Sequence, residues 1–574
     1  MGIATTRSLE RMAAAVGLLE RAPLQFHCAD DIPNGGVLCA LPALLAIGLL
    51  RHTDEHFSLP KGYYPMESVF LLLACLALAR VPSLEQLRYQ APGEWGKLMG
   101  LDRIPEVKTL RRKLGILGDD AERTARWAAQ MARDFMEASH EAAGVLLIDG
   151  HARVYHGGLT ELPRRYISRE RLCLRATTDY WVNALDGAPF FCVTQAIDPG
   201  LQKTLEAEII PRLLHDVPGQ PGESELQADP LRHRFTLVFD REGYSPDLFK
   251  RLKAQRIAIL SYHKHPGPEW SANEFFEKEV TLQNGEHNTL ALAERGTCLS
   301  NGLWVRELRH RDASGHQTSI LSTDYRSELS RQAASMFARW HQENFFKYMR
   351  EHYGLDRLVE HGVSPLPATT RIVNPAWRAL DSSVRRSAGE LSRERARFAA
   401  QVLEVEATTP EAAAVHEARK GAQLEKITAK QARLHELKEQ RKAQPRHIEL
   451  KDLPEAQRIA QLRTGRKQFI DTIKLIAYRA ESALVHIVRE KLTRHNDARS
   501  IVRGLFNTTI NLRPDAGRNE LRIELHGQTN PAHDAVIEHL IAELNSTETH
   551  YPGTTLRLHF ATLRSSTFPG SQDV

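Results

Sequence analysis

The chain has 574 residues, more than one hydrophobic core supports, so we expect three or four domains. Charged residues make up 26% and hydrophobic residues 42%, as in ordinary soluble globular proteins, and the net charge of +5 permits a nucleic-acid partner without requiring one. The sequence starts without an apolar signal segment, its apolar runs are shorter than a membrane span, and it has no Cys-x-x-Cys pair. Secretion, membrane insertion and a zinc ribbon are therefore not expected.

Residues 1–140 are predicted to form a helical domain, because Leu- and Ala-rich stretches alternate with Pro-containing breaks. Within it, residues 83–117 read as a short helix, a Gly/Pro turn and a second, basic helix, which is the spacing of a helix-turn-helix unit. The second helix would present four basic side chains to DNA, namely Lys108, Arg111, Arg112 and Lys113. The alternative is a surface helix whose charges are only solvated.

Residues 141–380 are predicted to form an α/β core. The order is three strands, a helix, a strand, a helix and a strand, carried by VLLID, LRATTDYWVNA, PFFCVTQAI, EAEIIPRLLHDV, RFTLVFD, SPDLFKRLKAQR and IAILSYH. A turn at Leu185-Asp186-Gly187 makes the second and third strands a hairpin, and helical crossovers add the later strands. This is the order of an RNase H-like fold. From about 265 to 330 the pattern alternates with period two and turns at Asn284-Gly285 and Ala313-Ser314-Gly315, which predicts an inserted β-rich subdomain.

The last third of the chain is predicted to contain long helices and then a small α+β domain. Residues 381–500 are polar and helical, and Leu424, Ile427, Leu434 and Leu437 make an imperfect heptad-like stripe. We expect a helical hairpin or short coiled coil that breaks near Pro445 and Pro454, followed by a long helix with a broad apolar face. Residues 501–574 follow the order helix, strand, strand, helix, strand. The helices of residues 381–500 are candidates for dimerisation or for clamping DNA.

Three acidic residues are candidates for a shared functional site. Asp149 ends the apolar run VLLID, Asp240 ends FTLVFD, and Glu343 lies on the helix predicted for RWHQENFFKYMRE. A carboxylate at the end of a buried strand is costly to desolvate unless a cation claims it, so the three acids suggest a shared metal site. Two Mg²⁺ ions held by a few carboxylates are the machinery that cuts and joins phosphodiesters. The alternatives are that Asp149-Gly150 is only a turn and that Asp240 only caps a helix.

The order of these elements resembles the DDE transposases of bacterial insertion sequences, in the subgroup with a β-stranded insertion before the last Glu. The signature of that family around the Glu is Tyr, two residues, Arg, three residues, Glu, six residues, Lys. Arg339 and Glu343 match its Arg and Glu, whereas Met336 replaces the Tyr and Arg350 replaces the Lys. The separations of 91 and 103 residues between the three acids fit the inserted subgroup. The resemblance covers most of the chain and is specific in the core and vague after residue 385.

The resemblance implies that Asp149, Asp240 and Glu343 are catalytic and hold two Mg²⁺ or Mn²⁺ ions. It further implies binding of double-stranded DNA at terminal inverted repeats and at a target, action as a homodimer in a synaptic complex, and a cytoplasmic, nucleoid-associated location in a bacterium. Arg339 and Arg350 are expected to hold DNA phosphates, with a helix-surface ion pair as the alternative. Trp340, Phe345 and Phe346 are expected to pack in the core.

Two other functions remain open from the sequence. A domesticated RNase H-like nuclease without strand transfer would use the same three acids. A DNA-binding protein with an inactive core is the third reading, and the intact triad argues against it.

Overall fold

The computed structural model describes residues 7–160, 162–282, 287–357, 362–403, 409–455, 458–527 and 531–563. The chain divides into two compact units. The first combines Met1–Gly157, Leu162–Gly362 and Leu462–Val574, and the second combines Gly158–Glu161 and Val363–Gln461. The helices that the sequence grouped in residues 381–500 are thus divided between the two units.

Helices and strands alternate along most of the chain. The helices are α1 (Ser8–Ala15), α2 (Leu41–Ile47), α3 (Thr53–His56), α4 (Met66–Leu78), α5 (Pro92–Leu98), α6 (Val107–Gly118), α7 (Ala121–Ala138), α8 (Leu201–Thr204), α9 (Ile210–Asp216), α10 (Glu223–Ala228), α11 (Pro246–Ala254), α12 (Leu329–Phe337), α13 (Arg339–Tyr353), α14 (Pro375–Leu403), α15 (Pro410–Ala443), α16 (Gly465–Arg489), α17 (Ala498–Phe506) and α18 (Pro531–Ser546). The strands are β1 (Ala29–Ile32), β2 (Val145–Val154), β3 (Arg164–Ile167), β4 (Leu172–Asn183), β5 (Pro189–Val193), β6 (Thr236–Phe239), β7 (Ala258–Tyr262), β8 (Phe276–Thr281), β9 (His287–Cys298), β10 (Trp304–Arg311), β11 (Gln317–Ser322), β12 (Val363–Pro365), β13 (Arg371–Val373), β14 (His447–Glu449), β15 (Ala460–Leu462), β16 (Ile510–Asp515), β17 (Glu520–Leu525) and β18 (Arg557–Thr562).

The first unit is built on a ten-stranded sheet. Its order is β3–β4–β2–β6–β7–β11–β10–β9–β8, and β5 also pairs with β4. Strand β2 runs antiparallel to β4 and parallel to β6, and β6 runs parallel to β7. Parallel neighbours need a crossover, which α8, α9 and α10 supply before β6 and α11 supplies before β7. The strands and helices predicted from residue 145 to residue 262 are present, and the structure adds the strand β3 and the helix α10, which the sequence did not predict.

The two faces of the sheet are covered by different helices. Because side chains alternate along a strand, Leu147 and Asp149 of β2 point to one face and Leu146 and Ile148 to the other. On the first face, buried side chains of the central strands pack against α12 and the residue that joins it to α13: Leu147, Val238, Leu260, Leu308, Ile320, Met336 and Ala338. The opposite face joins the main core, which includes residues of α11. The α12–α13 pair therefore lies on the face that carries Asp149.

The β-rich insertion extends this sheet and is not a separate subdomain. Strand β11 pairs antiparallel with β7, with Ile320 opposite Tyr262, and β10, β9 and β8 follow it outward. The pairing gives the edge of β7 its backbone hydrogen-bond partners, which explains why the insertion joins the core. The predicted turn at Ala313-Ser314-Gly315 is confirmed, with Gly315 at φ +89°. The turn at Asn284-Gly285 lies outside the described residues.

A helical layer surrounds α16. This helix is buried on nearly all sides and packs against α2, α4, α6 and α7, which confirms its predicted broad apolar face. Phe57, Phe70, Trp127 and Phe469 form an aromatic cluster, with ring centroids 5.2–5.8 Å apart, that links the end of α3 to α4, α7 and α16. Among the described residues, no helix is both long enough and apolar enough to span a membrane.

The basic segment at residues 83–117 has one more helical element than a helix-turn-helix unit predicts. A 3-10 helix covers Leu84–Tyr89, α5 covers Pro92–Leu98, and α6 carries the basic side chains. The Gly/Pro stretch that reads as a turn begins a helix because Pro92 occupies its first turn, where proline is favourable.

The end of the chain completes a second sheet together with an N-terminal strand. The predicted order of α17, β16, β17, α18 and β18 is confirmed. The sheet has the order β1–β16–β17–β18, so a strand from residues 29–32 pairs with the C-terminal region.

The second unit contains an antiparallel helical hairpin. Helix α15 ends at Ala443, two residues before Pro445, as predicted. Ile427 and Leu437 are buried in the hairpin, whereas Leu424 is exposed, so the apolar stripe is narrower than the sequence indicates. Two short strand pairs, β12–β15 and β13–β14, accompany the hairpin.

Candidate active site

Asp149 lies in the middle of β2 and not at its end. Strand β2 continues to Val154, so Asp149 and Gly150 form no turn, and the alternative of a simple turn is wrong. The parallel pairing of β2 with β6 ends at Ile148 and Phe239, one residue before Asp149. Gly150 is required here because a Cβ atom would lie 2.8 Å from Cγ2 of Thr178 on the neighbouring strand. Asp149 thus stands where the central strand extends beyond its parallel neighbour.

Asp240 follows β6 directly, at the same edge of the sheet. Its Oδ1 accepts a hydrogen bond of 2.8 Å from the backbone N–H of Glu242, which caps the 3-10 helix Arg241–Gly243. The hydroxyl of the buried Ser261 on β7 donates to the carbonyl oxygen of Asp240 at 3.2 Å. Asp240 thus caps only this 3-10 helix, since Ser245 caps α11, and its charge also acts on Asp149.

Glu343 lies on α13, one helical turn after Arg339. The Arg339 Nη2 atom is 3.4 Å from Oδ2 of Asp149 and 4.0 Å from Oε1 of Glu343. Arg339 is buried, whereas the Glu343 side chain is 51% exposed. The guanidinium of Arg339 also lies over the Tyr262 ring at the end of β7, 5.7 Å from its centroid. One buried cation thus connects the helix that carries Glu343 to the strand that carries Asp149.

The charges in this cluster are strongly coupled. The pKa of Asp149 is raised to about 6, chiefly by burial and also by the negative charges of Asp240 and Glu343, against the opposing effects of Arg339 and the Gly150 N–H. Burial lowers the pKa of Arg339, but Asp149, Asp240, Tyr262 and Glu343 outweigh it, and the net shift is upward. The three carboxylates are therefore close enough to interact, and Arg339 is the cation among them.

Gln342 fixes α13 to the sheet, and the sequence interpretation missed it. Its Nε2 donates to Oδ1 of Asn183 at 2.9 Å and to the carbonyl oxygens of Trp181 at 3.2 Å and Leu147 at 3.4 Å. The side chain is almost completely buried. The available signal was its spacing, because Gln342 is the polar member of an apolar stripe that continues with Phe345, Phe346 and Met349. It holds the helix directly beside Glu343.

Two lysines of α16 hold the other end of α13. Lys474 Nζ donates to the carbonyl oxygen of Gly354 at 3.3 Å, and Lys467 Nζ donates to that of Leu355 at 3.2 Å. Both lysines are buried, and burial together with the neighbouring Lys467 lowers the pKa of Lys474 to about 7. These donors satisfy carbonyl oxygens that directly follow the last turn of α13. The helix with Glu343 is thus anchored at both ends.

A family comparison decides which class of protein carries this cluster. A family model described as "Transposase protein" matches residues 2–564. The chain belongs to this transposase family. A search of curated proteins found no match. Because the family match spans both units, all the elements described above are parts of the transposase.

The donor set of the transposase suits a hard divalent cation. Carboxylate oxygens are the ligands that Mg²⁺ and Mn²⁺ prefer, and a bound cation would offset the cost of burying the Asp149 carboxylate beside Asp240 and Glu343. Within the described part of the chain, no three His, Cys, Asp or Glu side chains are grouped closely enough to hold a metal ion. The chemistry of the residues fits a divalent ion, and Glu343, which is half exposed, would have to turn toward the two aspartates to complete the ligand set.

The other positions predicted on α13 have different surroundings. Arg350 is partly buried and, among the described residues, forms no salt bridge with the three acids. Its charge instead lowers the pKa of Asp356. The Nε2 atom of His151 lies 2.5 Å from Oδ1 of that same aspartate. Phe345 and Phe346 are buried, as predicted. The prediction for Trp340 is wrong, because this side chain is 66% exposed. Helix α13 therefore presents an indole to solvent one residue after Arg339.

Three of the four basic residues predicted on α6 are available to a ligand. Lys108, Arg111 and Arg112 are exposed, and Arg111 pairs with Glu85 of the preceding 3-10 helix. Lys113 is buried, and its Nζ donates to the backbone carbonyl of Tyr64 at 2.8 Å. Its inclusion in the DNA-binding set is corrected, because an ammonium bound to a buried carbonyl cannot reach a phosphate.

Proposed function

We propose that the transposase is a DDE enzyme that cleaves DNA at the ends of an element and joins those ends to target DNA. The proposal is carried by one observation, the interaction of Asp149, Asp240 and Glu343 with each other and with Arg339. The sheet order β5–β4–β2–β6–β7 supports it. That order places the first acid on the central strand and the second after its parallel neighbour, as expected for an RNase H-like core.

In this proposal Asp149, Asp240 and Glu343 hold two Mg²⁺ or Mn²⁺ ions. When bound, the ions would supply activation of the attacking oxygen and stabilisation of the leaving oxygen of the phosphodiester. Water attacks first and leaves a 3′-hydroxyl at the end of the element. That hydroxyl then attacks a phosphodiester of the target, so that one P–O bond forms and one breaks in each step.

The side chains of the protein have separate tasks in this scheme. Asp149 must lose its proton to act as a ligand, and its pKa of about 6 allows this at neutral pH. Arg339 neutralises the carboxylates, and its guanidinium, 3.4 Å from Asp149 and 4.0 Å from Glu343, is retained as a candidate contact for a DNA phosphate that enters the site. Gln342 keeps α13 in place against β2 and β4.

DNA recognition is assigned to α6. Lys108, Arg111 and Arg112 would contact phosphates of the terminal inverted repeat, since phosphate contacts position a protein on the duplex. A homodimer would bring two element ends together. Arg350 is retained as a candidate phosphate contact on the same helix as Glu343.

Cleavage and joining by the purified protein test the proposal. The substrate is a labelled duplex that carries the end of the element, incubated with Mg²⁺. We expect Asp149→Ala, Asp240→Ala and Glu343→Ala each to reduce cleavage by about a thousandfold or more, since each removes a ligand that contributes several kcal/mol. Glu351→Ala is the matched control, because Glu351 is an exposed acid on the same helix.

The outcomes separate the alternatives. Loss of cleavage in the three variants, activity in the control and joined product from the wild type would support a DDE transposase. Cleavage without joined product would instead favour a nuclease of the same core. If any one of the three variants kept its activity, that residue would be wrongly assigned.

A further inference from the structure

In the helical hairpin of the second unit, α14 and α15 differ in which charged side chains they present to solvent and which they pair with each other. Helices α14 and α15 pack antiparallel through Val384, Leu391, Ile427 and Leu437. Ion pairs cross the seam, with Lys430 bound to Glu390 at 2.8 Å and Arg441 bound to Asp381 at 2.6 Å. A hydrogen bond of 2.7 Å from Gln423 to Glu394 adds to them. The three acidic side chains of α14 are thus all engaged with α15.

The outward face of α14 carries only positive charge. All six arginines of the helix are exposed, namely Arg378, Arg385, Arg386, Arg393, Arg395 and Arg397. At 100° per residue, five of them, all except Arg395, fall within an arc of about 120° directly opposite Val384 and Leu391. Arg385 and Arg397 pair with acids of the seam at 2.9 and 3.4 Å. Arg378, Arg386 and Arg393 make no salt bridge in the part of the chain that is described.

The outward face of α15 is acidic. It presents five exposed glutamates, namely Glu411, Glu417, Glu425, Glu436 and Glu439, whereas the exposed Lys426 and Lys438 flank the seam. Two further basic residues of this helix, Lys430 and Arg441, bind the acids of α14 across the seam. Asp381 and Glu390 of α14 are thus paired from α15, and Glu394 pairs with Arg397 of its own helix. This arrangement leaves a row of arginines on the outward face of α14 with no acid among them.

We propose that the arginine face of α14 binds the phosphate backbone of duplex DNA without sequence preference. This inference rests on the proposed DNA substrate and assigns a second DNA contact, distinct from α6. The row from Arg378 to Arg397 spans about 28 Å at 1.5 Å per residue, which matches about eight base pairs at 3.4 Å each. Arginine forks match phosphate oxygens, and a polyanion suits a face that has basic groups and few apolar ones.

A second copy of the chain fits this face less well. The glutamates of α15 could in principle pair with the arginines of another molecule. Glu417 and Glu436, however, are already paired within their own helix, with Lys420 at 3.1 Å and Arg433 at 2.5 Å. Stable protein interfaces also bury an apolar centre, and the exposed large apolar residues described on the hairpin, Val415 and Leu424, are isolated ones on α15. DNA is therefore the partner that the arginine face favours.

The salt dependence of DNA binding tests this assignment on the full-length protein. The probe is a fluorescent duplex of about 30 base pairs without element ends, titrated by anisotropy at several NaCl concentrations. Removing one phosphate-binding cation lowers the slope of log K against log [salt] by about 0.9, so the triple variant R378Q/R386Q/R393Q should lower it by about 2.7. We expect its affinity near 0.1 M salt to fall at least about tenfold.

Two control variants sharpen the result. R378K/R386K/R393K keeps the charge and should keep most of the slope. K426Q/K438Q/K442Q removes the same charge from exposed lysines of α15, which lie outside the arginine face, and should leave the slope close to that of the wild type. Equal losses in the arginine and lysine variants would mean that only total charge matters and would overturn the proposal, as would an unchanged slope in the arginine variant.

The same variants distinguish this inference from the other proposals. If R378Q/R386Q/R393Q changed the oligomeric state in sedimentation while the DNA slope stayed constant, the face would be a protein contact. Circular dichroism checks that the hairpin remains helical. Binding is measured without cleavage, so a failure of the proposed chemistry at Asp149, Asp240 and Glu343 would leave this result readable, and the reverse also holds.

Discussion

Replacing Gln342 with leucine tests how far the position of Glu343 depends on a buried amide. The two backbone carbonyls that accept hydrogen bonds from Gln342 belong to Leu147 and Trp181. They lie in the paired strands β2 and β4, so each keeps its cross-strand neighbour when the amide is removed. Oδ1 of Asn183 would lose the 2.9 Å hydrogen bond and remain buried. A buried acceptor left without a partner costs about 1–3 kcal/mol, and leucine recovers part of this by filling the volume with apolar atoms. We expect a net loss of about 2 kcal/mol.

The measurement combines thermal unfolding with DNA cleavage. For a unit of several hundred residues the unfolding entropy is on the order of 1 kcal/mol per kelvin, so the melting temperature should fall by about 2 °C. A displacement of α13 by about 1 Å would lower cleavage about a hundredfold, because catalytic geometry is that sensitive. His341→Ala is the control on the same turn, since it removes a single hydrogen bond of 2.8 Å to the carbonyl of Leu185.

The reasoning predicts a specific pattern. Cleavage should fall far more in Gln342→Leu than the small change in stability explains, while Mg²⁺ raises the melting temperature less in the variant than in the wild type. If Gln342→Leu cleaved DNA like the wild type, the amide would only fill space. If it unfolded outright, the expected small cost would be wrong and the hydrogen bonds would matter mainly to the fold.

Two further predictions concern single charges. Burial raises the pKa of Asp149 to about 6, so the folded state binds its proton more tightly than the unfolded chain does. The ionised carboxylate therefore lowers the stability of the fold above pH 6. This loss of stability disappears as the pH falls toward 4. Asp149→Asn should therefore raise the melting temperature in metal-free buffer at pH 8 by about 1–3 °C. The difference from the wild type should shrink between about pH 6.5 and pH 4. An equal or lower melting temperature of the variant at pH 8 would contradict the raised pKa of Asp149. Arg112→Gln should weaken binding of the element end without changing the melting temperature, whereas Lys113→Gln should lower the melting temperature because its ammonium serves the Tyr64 carbonyl. Identical behaviour of these two variants would refute the separation of exposed and buried basic residues on α6.

The sequence predicted the central strands well because their signal is local. Apolar runs such as VLLID and FTLVFD have the length and composition of buried strands, and the helices between them force parallel pairing. The same reasoning identified the helix with Arg339 and Glu343 and the hairpin of α14 and α15. It placed Asp149 at the end of a strand, although β2 continues to Val154. The apolar run ends at Asp149, but pairing with β4 keeps the backbone extended.

Single side chains were harder to predict than elements. Lys113 and Trp340 were assigned by residue type, the first to a DNA surface and the second to the core, and both assignments failed. A helix shows several faces, and only the neighbours that pack on it decide which face is buried. Gln342 illustrates the opposite case, since its interior position follows the apolar spacing of α13 but its partners come from two strands far away in the sequence.

The sequence by itself determined the order of strands and helices in the core, the three acidic positions and the polar helical hairpin, because each depends on residues close together in the chain. Only the tertiary structure decided that β1 completes the C-terminal sheet, that the insertion extends the central sheet, and that α16 anchors the end of α13. It also placed Arg339 among three carboxylates that lie up to 190 residues from it in sequence. Such contacts arise when separate elements bury their apolar faces against each other, and no local pattern encodes which faces will meet.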